Sequence, residues 1–319
     1  MSHFGLQLPS FTFADVPDDR LFERISEVAV AAEVAGFDSF WVMDHYHQIA
    51  NVGPVTDPML EAYTLLGGVA ARTTRIQLGA MVTGVTYRNP AFLAKVVTTL
   101  DIISSGRAIL GIGAAWNEEE SRAYGYPWPS ATERFERLED ALQICRSMFT
   151  QPESTMHGTI HAVDGALNVP QPARPGGPPI LVGGGGERKT LRLTARYADM
   201  WNGFGDLAMV RHKLHVLAEH CAAEGRDRSE IVATRLGTLI VGETSEDADR
   251  RRRAWQEGRG VEDADVAMRL IWGDRAHVAE QARAFLDAGL QGLIFNMPSG
   301  STVDDVHRAG EAVAMLRAG

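Results

Sequence analysis

The sequence predicts an α/β fold closed into a (βα)8 barrel of the TIM type, carrying insertions at its C-terminal mouth. Eight short β-rich runs alternate with eight helical patterns along the 319 residues, and strict alternation implies a parallel sheet. Eight repeats in a chain of this length suit a closed barrel better than an open doubly wound sheet. Two segments, 151–179 and 253–274, fit no repeat, yet the series resumes after each. They read as insertions at the barrel mouth, within one domain spanning 1–319, rather than as linkers.

Taken in order, the strands are expected at Phe4–Leu8, Asp38–Met43, Ile76–Val82 and Ala108–Ile112, then at Ile180–Val182, Ala198–Asn202, Thr234–Val241 and Leu293–Asn296. The helices between them are expected at Leu21–Ala35, Leu60–Arg72, Pro90–Ser104 and Thr132–Phe149, then at Glu187–Tyr197, Leu207–Glu224, Ala276–Ala288 and Val303–Arg317. Local chemistry supports two of these helices in detail. Asn89 before Pro90 is an N-cap followed by proline at N1, where a missing N–H costs nothing. Phe92, Leu93, Val96, Val97, Leu100 and Ile103 then recur at helical spacing, and Gly106 can end the turn. Ser130 with Glu133 forms a capping box, after which Phe135, Leu138, Leu142, Cys145 and Phe149 make one apolar stripe.

Composition excludes several functions. With 31 Lys and Arg against 41 Asp and Glu, the net charge is −10, and the longest basic run is Arg250–Arg253. An acidic chain without a concentrated cationic patch repels nucleic acid and anionic lipid. The Arg250–Arg253 run follows Glu246, Asp247 and Asp249 along a helix and reads as a solvated face. The first thirteen residues lack the pattern of a signal peptide, and no apolar stretch reaches bilayer length, so a cytoplasmic location is expected. Cys145 and Cys221 fall inside helical patterns and read as buried thiols.

In an α/β barrel, function sits where strands end and βα loops begin. The second strand ends on Asp44-His45-Tyr46-His47. A carboxylate beside an imidazole can position a ring and move protons, because neutral histidine both donates and accepts. A metal pair at His45-x-His47 is disfavoured, since later strand ends supply Gly113, Gly183, Asn202 and Asn296 rather than ligands. Gly111-Ile112-Gly113-Ala114-Ala115-Trp116 fails as a dinucleotide fingerprint, because Trp116 stands at the third glycine position. Gly183-Gly184-Gly185-Gly186-Glu187-Arg188 follows the fifth strand and opens a helix. Its N–H groups suit an anion, and Arg188, Lys189 and Arg192 add positive charge, so the turn reads as a phosphate site.

These residues resemble the luciferase-like monooxygenase superfamily, in its branch of F420-dependent oxidoreductases. The resemblance rests on the block from Phe37 to His45, on Thr83 to Pro90, on Ser105 to Gly113, on Trp116 to Glu120, on Arg134 to Leu142, and on Pro179 to Arg188. It implies a barrel that holds a flavin or deazaflavin at its mouth, with the polar ring edge near Asp44 and His45. It also implies a non-proline cis peptide at Met81-Val82, with Met81, Val82 and Thr83 behind the ring, and the cofactor phosphate on Gly183 to Arg188. The activity implied is hydride transfer between F420 and an organic small molecule, with His45 handling the proton and Asp44 orienting it. FMN-dependent monooxygenation is the alternative enzyme reading, and a non-catalytic flavin or deazaflavin carrier is the alternative of another class. One position departs from the family pattern. Where some sugar and alcohol dehydrogenases carry a glutamate after the Gly-x-Gly stretch, this chain has Ala114, and Glu118–Glu120 are expected only to start a helix. A homodimer is expected by resemblance.

Overall fold

The computed structural model describes residues 2–318. The first elements are β1 (His3–Leu8), α1 (Leu21–Val34), β2 (Ser39–Val42), α2 (Ala62–Ala70), β3 (Gln77–Ala80), β4 (Thr83–Gly84), α3 (Pro90–Ile103) and β5 (Ala108–Gly113). Then come α4 (Glu118–Ala123), α5 (Ala131–Thr150), β6 (Glu153–His157), β7 (Ala162–Leu167), β8 (Ile180–Gly183), α6 (Thr190–Tyr197) and β9 (Met200–Gly203). The chain finishes with α7 (Leu207–Ala223), β10 (Val232–Val241), α8 (Ser245–Arg259), α9 (Val266–Arg269), β11 (Leu270–Gly273), α10 (Arg275–Asp287), β12 (Gly292–Asn296) and α11 (Val303–Ala318).

Eight parallel strands follow one another around a ring, β1, β2, β3, β5, β8, β9, β10 and β12, and β12 pairs back onto β1. The expected (βα)8 barrel is the observed fold. The capping chemistry is also as expected: the Asn89 side chain accepts from the N–H groups of Ala91 and Phe92, and the Ser130 hydroxyl from that of Glu133. Strand alternation splits the core into two parts. Phe4, Leu6, Phe40, Leu78 and Leu110 pack under the helices, while Trp41, Ile109, Leu181, Met200 and Ile294 fill the barrel. Burial on both faces explains why the strands read as nearly continuous apolar runs.

Trp41 closes the barrel floor, and glycines make room for it. A Cβ at Gly79 would lie 2.5 Å from the indole, and one at Gly5 2.8 Å from its Nε1. The indole N–H donates to Ser39 Oγ at 2.7 Å, so its one polar atom is satisfied. Gly111 is tighter still, because a Cβ there would lie 2.1 Å from the backbone oxygen of Ala80 on the neighbouring strand. A backbone atom in a pinned ladder cannot move aside as a side chain can. Gly111→Ala is therefore expected to cost about 3 kcal/mol through overpacking, read from the midpoint of urea unfolding. Gly67→Ala, in α2 with open space beside it, should be neutral or stabilise by up to about 1 kcal/mol.

The structure departs from the sequence reading in three places. The strand expected over Ile76–Val82 stops at Ala80; the Met81-Val82 peptide is cis, and β4 then pairs Thr83 with Ile112 and Gly84 with Gly113 of β5. Segment 151–179 does not stand at the mouth. It joins the end of α5 to the start of β8, a connection on the opposite face, and forms the antiparallel β6–β7 hairpin. Asp140 of α5 holds that segment by accepting from the N–H groups of Thr159, Ile160 and His161. Segment 253–274 does stand at the mouth, but as part of an ordered unit that begins with α8. Leu270–Gly273 becomes a strand because the ten-residue β10 projects past the ring and offers Thr238–Val241 as an edge. The basic run of α8 is paired with Asp247, Asp249 and Asp305.

Candidate functional site

A cavity of about 550 Å³ opens at the C-terminal mouth. Asp44 and His45 border it after β2, Met81 to Gly84 at β3 and β4, Gly113 to Asn117 after β5, and Gly183 and Gly184 after β8. Its glycines shape one wall. A Cβ at Gly183 would lie 2.7 Å from a methyl of Val82, and one at Gly113 2.9 Å from the other methyl. Val82 thus sits between two bare backbones, and a side chain at either glycine would collide with it.

The His45 side chain is 13% exposed, and its Nδ1 lies 2.7 Å from Oε2 of the fully buried Glu120. The same carboxylate accepts from the Tyr87 hydroxyl at 2.5 Å and from the N–H groups of Tyr46 and His47 at 2.5 and 3.3 Å. Burial pushes the Glu120 carboxyl up, but the bonds from His45, Tyr87 and Tyr46 outweigh it and hold the group below the ordinary carboxylate value. An ionised Glu120 makes Nδ1 of His45 the donor and leaves Nε2 free to take or give a proton. Trp116, 61% exposed on the cavity rim, meets the imidazole edge-on at 5.6 Å between ring centroids.

Asp44, expected to orient His45, does something else. Arg88 grips it with two bonds, Nη1 to Oδ2 at 2.6 Å and Nη2 to Oδ1 at 3.0 Å, and Nη2 also reaches Glu61 at 2.7 Å. The guanidinium lies over the Tyr63 ring, and the Tyr63 hydroxyl meets Thr83 Oγ1 at 2.6 Å. Burial pushes the Asp44 carboxyl up from its ordinary value, against the pull of Arg88. The chain Asp44–Arg88–Tyr63–Thr83 ties the end of β2 to β4, so Asp44 braces the cavity wall. The carboxylate that orients His45 is Glu120, which the sequence reading left as a helix start. The helix does start there, with Asn117 as its N-cap, but its first turn buries Glu120.

Of the expected phosphate-site residues, Gly183 and Gly184 line the cavity, and Gly185, Gly186, Glu187 and Arg188 carry the same turn onward to the α6 start. Gly184 adopts φ +126°, a conformation side chains resist. Its N–H donates to Asn202 O, and Leu191 N–H closes the turn on Gly186 O. The N–H groups of Gly185 to Arg188 make no backbone hydrogen bond among the described residues. Two of the three expected cations face elsewhere. Lys189 lies over the Phe135 ring at 5.3 Å, and Arg192 pairs with Glu139 at 3.8 Å. Both are drawn to partners on α5 rather than to the turn. The second histidine of the second-strand motif, His47, bonds through Nδ1 with Gln48 O. No helix among the described residues is long and apolar enough to cross a membrane.

The profile of the luciferase-like monooxygenase family matches residues 2–260. An F420-dependent glucose-6-phosphate dehydrogenase of Kineococcus radiotolerans is 31% identical over 300 residues, 86% of this chain and 87% of that protein. A phthiodiolone/phenolphthiodiolone dimycocerosates ketoreductase of Mycobacterium kansasii is 31% identical over 243 residues, 69% of this chain and 64% of its own length. The solved structure of an F420-dependent secondary alcohol dehydrogenase, in complex with an F420-acetone adduct, superposes with TM-score 0.82 over 99% of both chains at 19% identity, which shows a shared fold. Barrel, strand-end motifs and a profile match over most of the length agree: the chain belongs to the luciferase-like monooxygenase family.

Proposed function

We propose that the protein is an oxidoreductase that uses the deazaflavin F420 to interconvert a carbonyl and a hydroxyl group on an organic substrate. The observation that carries this reading is the buried Glu120 carboxylate fixing His45 at the edge of a glycine-walled cavity. The cavity residues fit the cofactor. Gly113 and Gly183 let Val82 pack into the cavity wall, and the turn from Gly184 to Arg188 offers N–H groups to a phosphate. When bound, F420 supplies or accepts the hydride at C5 of its ring. Met81, Val82 and Thr83 hold the ring from behind. His45 Nε2 gives or takes the proton that accompanies the hydride at the substrate oxygen.

Gln7 and Asn296 are register partners on β1 and β12. They stand two residues beyond Gly5 and Ile294, which face the barrel interior. The side-chain oxygens Gln7 Oε1 and Asn296 Oδ1 are buried with no partner among the described residues, which suits a neutral substrate bearing donors. Relatives named as dehydrogenases and ketoreductases support hydride transfer over oxygen insertion.

The test is a parallel titration with F420 and FMN read by tryptophan fluorescence, since Trp116 borders the cavity. F420 is expected to quench and FMN to leave the signal unchanged. Turnover with ketones and sugar phosphates then separates an enzyme from a carrier. Tight FMN binding with no response to F420 would move the assignment to flavin-dependent monooxygenation, and F420 binding without turnover would move it to a carrier.

A further inference from the structure

We propose that Lys213, on α7, is the cation that anchors the cofactor phosphate, with Glu187 as the internal carboxylate that the phosphate displaces from it. The inference rests on the reading of the glycine turn as the phosphate site of F420. Two of the three cations near the turn in sequence are engaged elsewhere, and the third is open to solvent. Lys189 and Arg192 are held against α5, and Arg188 is exposed at the outer end of the turn. Lys213 comes from the following helix and reaches the turn from the side. Its Cε lies 3.9 Å from where a Cβ of Gly185 would stand, and its Nζ is 2.5 Å from Oε1 of Glu187.

The Lys213 side chain is only 16% exposed, against 43% for Glu187. A cation held this way loses little rotamer freedom on meeting an anion. Glu187, the more exposed partner, also accepts from His212 Nε2 at 3.1 Å, and its backbone carbonyl from His220 Nε2 at 2.8 Å. The Glu187 carboxylate is therefore held toward Lys213 and His212, on the turn whose N–H groups from Gly185 to Arg188 make no backbone hydrogen bond among the described residues. A phosphate arriving at those N–H groups competes with it for the ammonium. The phosphate carries more charge-bearing oxygens and gains the turn's N–H donors as well, so the exchange favours the ligand.

The experiment measures the affinity of F420 and of its phosphate-free core, 8-hydroxy-5-deazariboflavin, by tryptophan fluorescence. Lys213→Met is expected to weaken F420 by about tenfold or more and to leave the core unchanged. Glu187→Gln releases the lysine and should tighten F420 by about two- to fivefold, whereas Lys189→Met and Arg192→Met should stay within about twofold of wild type. The proposal is overturned if Lys213→Met binds F420 as wild type does, if it loses F420 and core equally, or if either control loses more. The cofactor reading fails separately. If the wild type prefers FMN over riboflavin and ignores F420, Lys213 is judged by the same ratio on that pair. If the wild type discriminates neither pair, the turn holds no phosphate and the role of Lys213 falls with it.

Discussion

Glu120→Gln is expected to lower turnover by about two to three orders of magnitude while leaving cofactor affinity within about twofold. The isosteric change keeps the volume and inverts one oxygen. Oε2 accepts from His45 and Tyr87, and Oε1 accepts from the N–H groups of Tyr46 and His47. With its NH2 at the Oε1 position the amide meets two N–H donors in a buried site, a mismatch worth about 1–3 kcal/mol; with its NH2 at the Oε2 position it drives the His45 proton from Nδ1 to Nε2. If His45 rotates to relieve it, Nε2 leaves the position from which it reaches the substrate. His45→Ala should lose a similar factor, and the double variant should be no worse than either single change, as for groups that act as a unit.

The stability effect has a pH signature. Because the folded protein holds Glu120 below the ordinary value of 4.5, its contribution is present above that value and fades as pH falls through the lower folded value. Urea unfolding should therefore show Glu120→Gln less stable than wild type at neutral pH, with the gap closing in acid. An unchanged kcat for Glu120→Gln would end the positioning role, whatever the stability result.

Arg88→Met is expected to be the most destabilising single change at the site, at about 3–5 kcal/mol, because it strands a buried carboxylate. The Asp44 side chain is 1% exposed and the Arg88 side chain 9%, so water cannot take over the role of the guanidinium. A loss of this size lowers the thermal midpoint by about 6 °C in a chain this long. Adding Asp44→Asn should restore much of the loss, since no charge is then left unpaired. If the double variant were no better than Arg88→Met, the damage would come from lost packing on Tyr63 rather than from the stranded charge.

Much of the fold was legible because its signals are local. The Asn89-Pro90 and Ser130 caps act within three residues, and the strand and helix periods repeat within a few turns. The position of the cavity was legible for a related reason. In a barrel every strand ends on the same face, so Asp44-His45, Met81-Val82-Thr83 and Gly183-Gly184 meet there once the strands are found. The β11 strand was not legible, because Leu270–Gly273 has no pairing partner until β10 overshoots the ring. The side of the barrel taken by segment 151–179 follows from element order, since it leads from a helix into a strand and every such connection lies opposite the mouth.

The sequence by itself determined the alternation, the ring of strand ends and the chemical types gathered on it. The tertiary structure decided which of those groups touch. Glu120 reaches His45 across 75 positions, Arg88 reaches Asp44 across 44, and Lys213 reaches Glu187 across 26. Each pairing joins side chains from different βα units, so its distance is set by barrel closure and helix placement rather than by spacing along the chain. Charge and burial then select the partners. A buried carboxylate takes the donor that the closed barrel brings within reach, and that donor is not the nearest one in sequence.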